Sequence, residues 1–265
     1  LIGIGGAHRK EVYNLLTFLK NKKLNKNIFL MPGIQTFPTP LKYHSLYEIK
    51  NLIVPHKLYF VSSFDKKEKS FEFDGVAFGN AIITKFPINS HHAVMFETEA
   101  EKDEKRFLLH LSLKYKSETI NVICTHLNYK YEHQHVREDQ VKYILKYISN
   151  LKKSKFPVIL CGDFNADPNS DEIRMITGHR KPVEEIVLRD SWNMTNPESL
   201  GFTWSNKNSY AKKTLESDRR IDYIFVGKAG SKGLGHPLST ILEGTDKNNN
   251  RFPSDHFGIM THLAG

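Results

Sequence analysis

Hydrophobic positions along the chain follow two spacings, which predict helices and strands in a mixed order. Apolar residues recur at helical spacing at 10–23, 41–54 and 136–152, and we predict helices there. A shorter helix is expected at 171–177, with Asn169 or Ser170 as its N-cap. Strands are predicted from short apolar or alternating runs, at 27–31, 57–61, 75–84, 107–114, 120–125, 158–161 and 221–226. This order indicates an α/β fold in which two sheets pack face to face with helices outside.

The size of the chain is that of one enzyme domain. With 265 residues and 39% hydrophobic residues, it can bury one large core, and we expect a single domain over 1–265 and a monomer. No apolar run approaches the roughly 18 to 20 residues of a membrane span. Segments 62–71 and 227–253 are predicted surface loops. Because the chain begins at Leu1, the lack of a targeting segment says nothing about its compartment.

The charge of the chain favours an anionic partner. Lys and Arg number 38 against 29 Asp and Glu, which gives a net charge of +9. Such an excess suits a polyphosphate, a nucleic acid or an acidic membrane surface. The lysines are dispersed and form no stripe with aromatic residues between them, so the charge supports a nucleic-acid substrate only modestly.

The two cysteines, Cys124 and Cys161, end strands that we expect to be neighbours in the core. Neither lies in a loop that a disulfide would constrain. They are therefore predicted to be buried free thiols.

Short polar side chains end several of the apolar strands. Asp163 and Asn165 follow the strand at 158–161, and their spacing points both side chains to one side of an extended chain. Comparable positions at other strand ends hold His126, Asp222, Asp255 and His256. Such groups can accept a proton and donate hydrogen bonds to a developing anion. Asp, Asn and Pro also form turns, so the segment after 161 by itself is equally compatible with an ordinary strand exit.

The position of Asp222 inside an apolar strand predicts a specific partner. A buried carboxylate without a partner costs several kcal/mol. A cation or a hydrogen-bond donor must therefore lie beside it, and a histidine is the obvious candidate. Taken together, the strand-end side chains favour a site for phosphate hydrolysis.

These motifs resemble those of the endonuclease/exonuclease/phosphatase superfamily, the Mg²⁺-dependent phosphodiesterases and phosphatases related to DNase I. The similar segments occur in the family's order: Thr-His-Leu at 125–127, Gly-Asp-Phe-Asn at 162–165, Arg-Ile-Asp-Tyr at 220–223 and Ser-Asp-His at 254–256. Segments 78–88, 170–174 and 201–204 resemble bacterial members. The resemblance implies a four-layer, DNase I-like α/β sandwich of two mainly antiparallel sheets flanked by helices. It also implies a divalent-metal-dependent hydrolase of phosphate esters, a nuclease or a phosphatase.

The resemblance and the side-chain chemistry together imply catalytic roles. Asp163 would orient and deprotonate the attacking water. Asn165 and His126 would stabilise the charge of the phosphoryl transition state. His256, with its tautomer fixed by Asp222, would donate to the phosphoryl oxygens or act as an acid.

Further residues are candidates for binding the metal and the substrate. Asp255 is the expected ligand of Mg²⁺ or Mn²⁺, because a carboxylate oxygen suits a hard cation. Asn80 resembles a polar residue near the phosphate in bacterial members, although an ordinary strand Asn fits equally well. Arg137 could reach the rim of the site or be a surface residue. Trp204 could flank a substrate group, although core packing is at least twice as frequent for such a residue.

One departure from the family pattern concerns the metal. Family members carry an Asn in the first strand and a Leu-Gln-Glu segment whose Glu is the main Mg²⁺ ligand, whereas Thr36 stands at that place here. No Asp or Glu lies between Glu11 and Glu48, so a local shift cannot restore the carboxylate. Two hypotheses follow: a hydrolase of a phosphate-containing substrate, nucleic acid among the candidates, with a weakly held metal, or a pseudoenzyme that binds a phosphorylated ligand or a protein partner. The retained polar set favours the hydrolase.

Overall fold

The computed structural model describes residues 2–3, 28–36, 57–62, 77–84, 86–97, 106–247 and 252–265. Within these residues the strands are β1 (Ile2–Gly3), β2 (Ile28–Thr36), β3 (Lys57–Ser62), β4 (Ala77–Thr84), β5 (Ile88–Met95), β6 (Phe107–Tyr115), β7 (Glu118–His126), β8 (Ile159–Asp163), β9 (Arg189–Asp190), β10 (Asp222–Val226), β11 (Pro237–Glu243) and β12 (Gly258–Leu263). The helices are α1 (Gln134–Ser149), α2 (Asp171–Thr177) and α3 (Ser191–Thr195), and 3₁₀ turns lie at Tyr131–His133, Ala211–Thr214 and Ser231–Gly233.

The strands form two six-stranded sheets. The order is β11-β12-β1-β2-β4-β3 in the first sheet and β5-β6-β7-β8-β10-β9 in the second. Among the described strands only β1 with β2 and β7 with β8 pair in parallel. The prediction of two mainly antiparallel sheets is therefore confirmed.

The core has two layers, one on each face of the second sheet. Between the sheets lie Ile82, Leu109, Leu111, Val122, Cys124, Ile159, Cys161, Ile224 and Ile259. On the opposite face, side chains of α1 and α2 cover Ile123, Leu160 and Phe225. Successive residues of β7, β8 and β10 point to opposite faces, and both faces are covered. This double burial explains why these strands are mainly apolar in the sequence.

Most predicted elements within the described residues are confirmed. The helix predicted at 136–152 is α1, which begins and ends slightly earlier, and the helix at 171–177 is α2, with Ser170 at its N-cap. Cys124 and Cys161 are free, buried and opposite each other on β7 and β8, as predicted. The helices predicted at 10–23 and 41–54, which would form the fourth layer, lie outside the described residues, as does the predicted loop 62–71 apart from Ser62.

The loop predicted over 227–253 was partly wrong, because β11 lies within it. β11 is the edge strand of the first sheet and pairs with β12 alone, and three of its seven side chains, Leu238, Ser239 and Ile241, are exposed to solvent. An edge strand needs few apolar residues, and its sequence therefore resembles that of a loop. None of the described helices combines the length and the apolar character needed to cross a bilayer.

Candidate active site

Three polar residues lie in one row across the second sheet. β7 and β8 are parallel, and their last residues, His126 and Asp163, are opposite each other. β10 runs antiparallel to β8, so its first residue, Asp222, lies beside Asp163. The end of two strands and the start of a third thus meet at one edge of the sheet. His126, Asp163 and Asp222, which the sequence analysis singled out in separate strands, are thus neighbours.

Gly162 permits the close approach of β7 and β8 at this edge. Its φ is +151°, and a Cβ at this position would overlap the carbonyl oxygen of Thr125. Any other residue would push the two strands apart. The glycine therefore sets the separation of His126 and Asp163.

His256 reaches the row from the first sheet, in the segment just before β12. Its Nδ1 lies 2.7 Å from Oδ2 of Asp222, and its Nε2 lies 3.8 Å from Oδ2 of Asp163. The buried partner predicted for Asp222 is thus this histidine. Trp204, which is partly exposed, packs edge-on against the His256 ring with 4.9 Å between centroids. The imidazole is consequently held on one side by a carboxylate and on another by an indole.

His126 and Asn165 flank Asp163. Nε2 of His126 lies 3.4 Å from Oδ2 of Asp163. The backbone N–H of Asn165, at a φ of +50°, donates to Oδ1 of Asp163 at 2.9 Å, and its side-chain Nδ2 donates to the carbonyl of Leu127 at 3.1 Å. An amide nitrogen has two hydrogens. Asn165 can therefore orient itself on Leu127 and still donate to a ligand.

The protonation states of the site follow from burial and charge. Burial, and then the negative charge of Asp222, raise the pKa of the Asp163 carboxyl to about 7. Burial alone would lower the pKa of His256, but the charge and hydrogen bond of Asp222 outweigh it and raise that pKa to about 10. Burial, followed by the charges of Arg106 and His256, holds the pKa of His126 well below its usual value. At neutral pH the site therefore holds one imidazolium, one neutral imidazole and a carboxyl near its midpoint.

Arg106 is a buried cation that the sequence reasoning missed. It is 3% exposed, directly precedes β6, and its charge lowers the pKa of both His126 and Asp163. In the sequence it ends a run of charged residues from 101 to 106. A charged run is usually solvated, and no local signal distinguishes the one member that is buried.

Two of the three predicted substrate-binding residues lie inside the fold. Asn80 is buried, and its Nδ2 donates to the carbonyl of Phe107, which also accepts from Oγ1 of Thr125. Asn80 thus links β4 of one sheet to β6 of the other, directly beside the residue that precedes His126. The third candidate, Trp204, borders the site through its contact with His256.

Arg137 is buried on α1 rather than placed at an open rim. Its Nε donates to Oε1 of Glu172 on α2 at 2.7 Å, and its Nη1 donates to the carbonyl oxygens of Lys130 and Asn128 at 2.6 and 3.4 Å. Oε1 of Gln140, one turn along the same helix, accepts from the backbone N–H of Asn128. These contacts hold the loop that follows His126 and give Arg137 a positioning role.

We expect Arg137→Met to lower the free energy of unfolding by about 3–5 kcal/mol, because the fully buried carboxylate of Glu172 would lose its cation. Urea denaturation measures this change. Arg174→Met on α2 is the matched control: its partner Asp171 is solvent-accessible, and the loss should stay below about 1 kcal/mol. Equal losses for the two variants would contradict the role assigned to the buried pair.

The sequence of this chain is similar to those of one protein family. The profile of the Endonuclease/Exonuclease/phosphatase family matches residues 35–256. This chain belongs to that family. Tyrosyl-DNA phosphodiesterase 2 of Homo sapiens is 30% identical over 161 residues, which are 60% of this chain and 42% of that protein. The CCR4-Not complex 3'-5'-exoribonuclease subunit Ccr4 of Kluyveromyces lactis is 24% identical over 197 residues, 61% of this chain and 24% of that protein. The chain thus spans less than half the length of these relatives.

Solved structures show the same fold. D. rerio TDP2 complexed with a single-strand DNA product gives a TM-score of 0.76 at 18% identity, over 98% of this chain and 96% of that one. The endonuclease/exonuclease/phosphatase from Bacteroides vulgatus gives 0.73 at 14% identity, over 99% and 98%. A family protein from Leptotrichia buccalis gives 0.70 at 17% identity, over 100% and 98%. The predicted resemblance, bacterial members included, is confirmed.

Asp163, Asp222 and His256 form a cluster of side chains that could hold a metal ion. Ligand atoms of Asp163, Asp222 and His256 all lie within 4.8 Å of one another. Oδ2 of Asp222 already bonds His256, but its buried Oδ1 has no hydrogen-bond partner among the described residues. Asp255, partly exposed beside His256, accepts from Oγ of Ser254 at 3.1 Å. Clustered carboxylate oxygens fit Mg²⁺ or Mn²⁺. The side chain of Thr36, at the end of β2, lies outside the described residues.

Proposed function

We propose that this chain is a divalent-metal-dependent hydrolase of phosphate esters, of the phosphodiesterase or nuclease type. The observation that carries the proposal is the buried pair of His256 and Asp222, whose free imidazole nitrogen is turned toward Asp163. An acid–base pair aimed at a third titratable group is costly to bury and is typical of a catalytic centre. The curated relatives named above, a phosphodiesterase and an exoribonuclease, support the same reaction type.

Asp163 is the proposed base for the attacking water. Its pKa of about 7 leaves a large fraction ionised at neutral pH, while the basicity stays close to the value that is most effective for proton transfer. The carboxylate would accept a proton as the water oxygen bonds to phosphorus. The backbone N–H of Asn165 orients this carboxylate.

His256, His126 and Asn165 are the proposed donors to the phosphoryl group. His256 is protonated at neutral pH, so its Nε2 can donate to a phosphoryl oxygen or pass its proton to the departing oxygen as the second P–O bond breaks. Neutral His126 and the second amide hydrogen of Asn165 donate without adding charge. A bound Mg²⁺ or Mn²⁺ would neutralise phosphate charge, and Asp255 with Oδ1 of Asp222 are the proposed ligands.

The proposed substrate is anionic and contains a phosphodiester, with nucleic acid as the favoured class. The net charge of +9 supports an anionic partner, and the curated relatives are named for DNA and RNA chemistry. Of the three predicted substrate-binding residues, Trp204 remains in the proposal because it borders His256. Asn80 and Arg137 enter it as residues that position the strands and loop of the site.

A pseudoenzyme is the second candidate, and Thr36 is the observation that favours it. Loss of the Glu expected at that position removes one carboxylate ligand, and Mg²⁺ gives up its waters reluctantly. In that case the same basic site would bind a phosphorylated ligand or a protein partner without turnover.

We expect the wild-type chain to hydrolyse bis-p-nitrophenyl phosphate in the presence of millimolar Mg²⁺ or Mn²⁺. Addition of EDTA should stop this hydrolysis. Release of p-nitrophenolate measures the rate. Thr36→Glu should lower the metal concentration for half-maximal rate by about tenfold, because a further carboxylate would join Asp255 and Asp222 in the proposed ligand set. If neither the wild type nor Thr36→Glu hydrolyses the substrate faster than the uncatalysed background with either metal, the hydrolase is excluded and the pseudoenzyme is favoured.

A further inference from the structure

Tyr131 is a large aromatic side chain that lies in solvent beside the candidate site. It begins the 3₁₀ turn after β7 and is 59% exposed. Among the residues described, most large hydrophobic side chains are buried in the two core layers. A ring left this exposed gains little from burial, so packing does not explain its presence.

The ring is nevertheless held in one orientation. The guanidinium carbon of Arg219 lies 4.7 Å from the ring centroid, and the Tyr131 hydroxyl donates to Oε2 of Glu216 at 2.9 Å. Arg219 is fixed in turn by Asp167, whose Oδ2 accepts from its Nε at 3.0 Å. An exposed side chain ordinarily keeps its rotamer freedom. Here the cost of ordering it is met by contacts within the protein before any ligand arrives.

Arg219 also connects the ring to the candidate active site. Its Nη2 lies 3.4 Å from the carbonyl oxygen of Asn165, the residue whose N–H orients Asp163. The guanidinium group of Arg219 therefore lies between the Tyr131 ring and the backbone of Asn165, where the phosphate is proposed to bind. Exposed Lys212 and Lys213 lie in the 3₁₀ turn just before Glu216 and add positive charge nearby.

We infer that Tyr131 is a stacking platform for a nucleobase of a single-stranded nucleic acid, an assignment that rests on the proposed function. One face of the ring is covered by Arg219, and a base next to the bound phosphate would stack on the other. Every base has a π-face, so such a platform binds without reading sequence. The guanidinium of Arg219, which Asp167 holds in place, supports the stack from behind the ring.

Binding of two labelled oligomers of equal length tests the inference, with fluorescence anisotropy in EDTA as the readout. One is an oligothymidylate and the other is an abasic strand with the same phosphates. The wild type should bind the base-bearing strand at least about fivefold more tightly. Tyr131→Leu should remove this preference and leave affinity for the abasic strand within about twofold. Tyr131→Phe, which keeps the ring, should retain the preference.

Tyr129→Leu is the matched control. Tyr129 is 57% exposed in the same loop, and within the described ranges its side chain has neither a ring contact nor a hydrogen bond, so its loss should leave the preference intact. A wild type without preference, or a preference that survives Tyr131→Leu, would overturn the inference. Hydrolysis of bis-p-nitrophenyl phosphate reports separately on the proposed function: turnover without a base preference rejects only the platform, and a preference without turnover rejects only the hydrolase.

Discussion

His256→Ala should reduce the rate of bis-p-nitrophenyl phosphate hydrolysis by about three orders of magnitude. The variant removes the imidazolium that is proposed to donate to the phosphoryl group, and general acid catalysis together with charge stabilisation accounts for a loss of this size. It also leaves the buried carboxylate of Asp222 without its 2.7 Å partner. Rates should therefore be measured well below the melting temperature of the variant.

Two further variants separate chemistry from folding. His262→Ala removes an exposed histidine of β12, close in sequence, and should leave the rate within about twofold. His256→Asn offers an amide hydrogen to Asp222 but no titratable proton, so it should recover stability without recovering activity. Retention of more than a tenth of the wild-type rate in His256→Ala would remove this histidine from the mechanism.

Asp222→Asn should shift the whole pH–rate profile to lower pH. In the wild type the rate should rise as Asp163 loses its proton near pH 7 and fall as His256 loses its proton near pH 10. The charge of Asp222 raises the pKa of both groups, so its neutralisation lowers both values. The high-pH limb should move most, because the charge and hydrogen bond of Asp222 are the largest influences that raise the pKa of His256 against its burial. The maximal rate should also fall by at least about tenfold.

The same variant changes the pH dependence of stability. The pKa of His256 is raised on folding from 6.5 to about 10, so its pairing stabilises the fold fully below about pH 6.5. That contribution decreases as the pH rises toward 10, and Asp222→Asn should flatten this pH dependence of the free energy of unfolding in urea, because Asp222 is the main partner of His256. Asp246→Asn, an exposed carboxylate outside the site, is the control and should alter neither profile. An unshifted high-pH limb in Asp222→Asn would show that another group titrates there.

The strands of the second sheet were predictable from the sequence because their environment is uniform. β7, β8 and β10 are covered on both faces, so each is mainly apolar and a charged or titratable residue stands out in it. That contrast made His126, Asp163 and Asp222 recognisable before any geometry was known. It also required a partner for Asp222, which the structure supplies as His256. The ligand role of Asp255 and the effect of Thr36 stay predictions.

Other features had no local signature. β11 lies at a sheet edge with three of its seven side chains exposed, and its residues resemble those of a loop. Arg106 and Arg137 look like surface residues in their own segments and are buried only because distant groups meet them, as Glu172 meets Arg137. Tyr131 and Tyr129 are similarly exposed, and only the contacts that Arg219 and Glu216 make with Tyr131 distinguish the two.

The sequence by itself determined the α/β class and the apolar strands that carry His126, Asp163 and Asp222, since burial and side-chain type follow from local pattern. Only the tertiary structure decided which of these groups touch and which protonation state each one holds. Contact distance, burial and neighbouring charge set a pKa, and all three depend on segments that lie far apart in the chain.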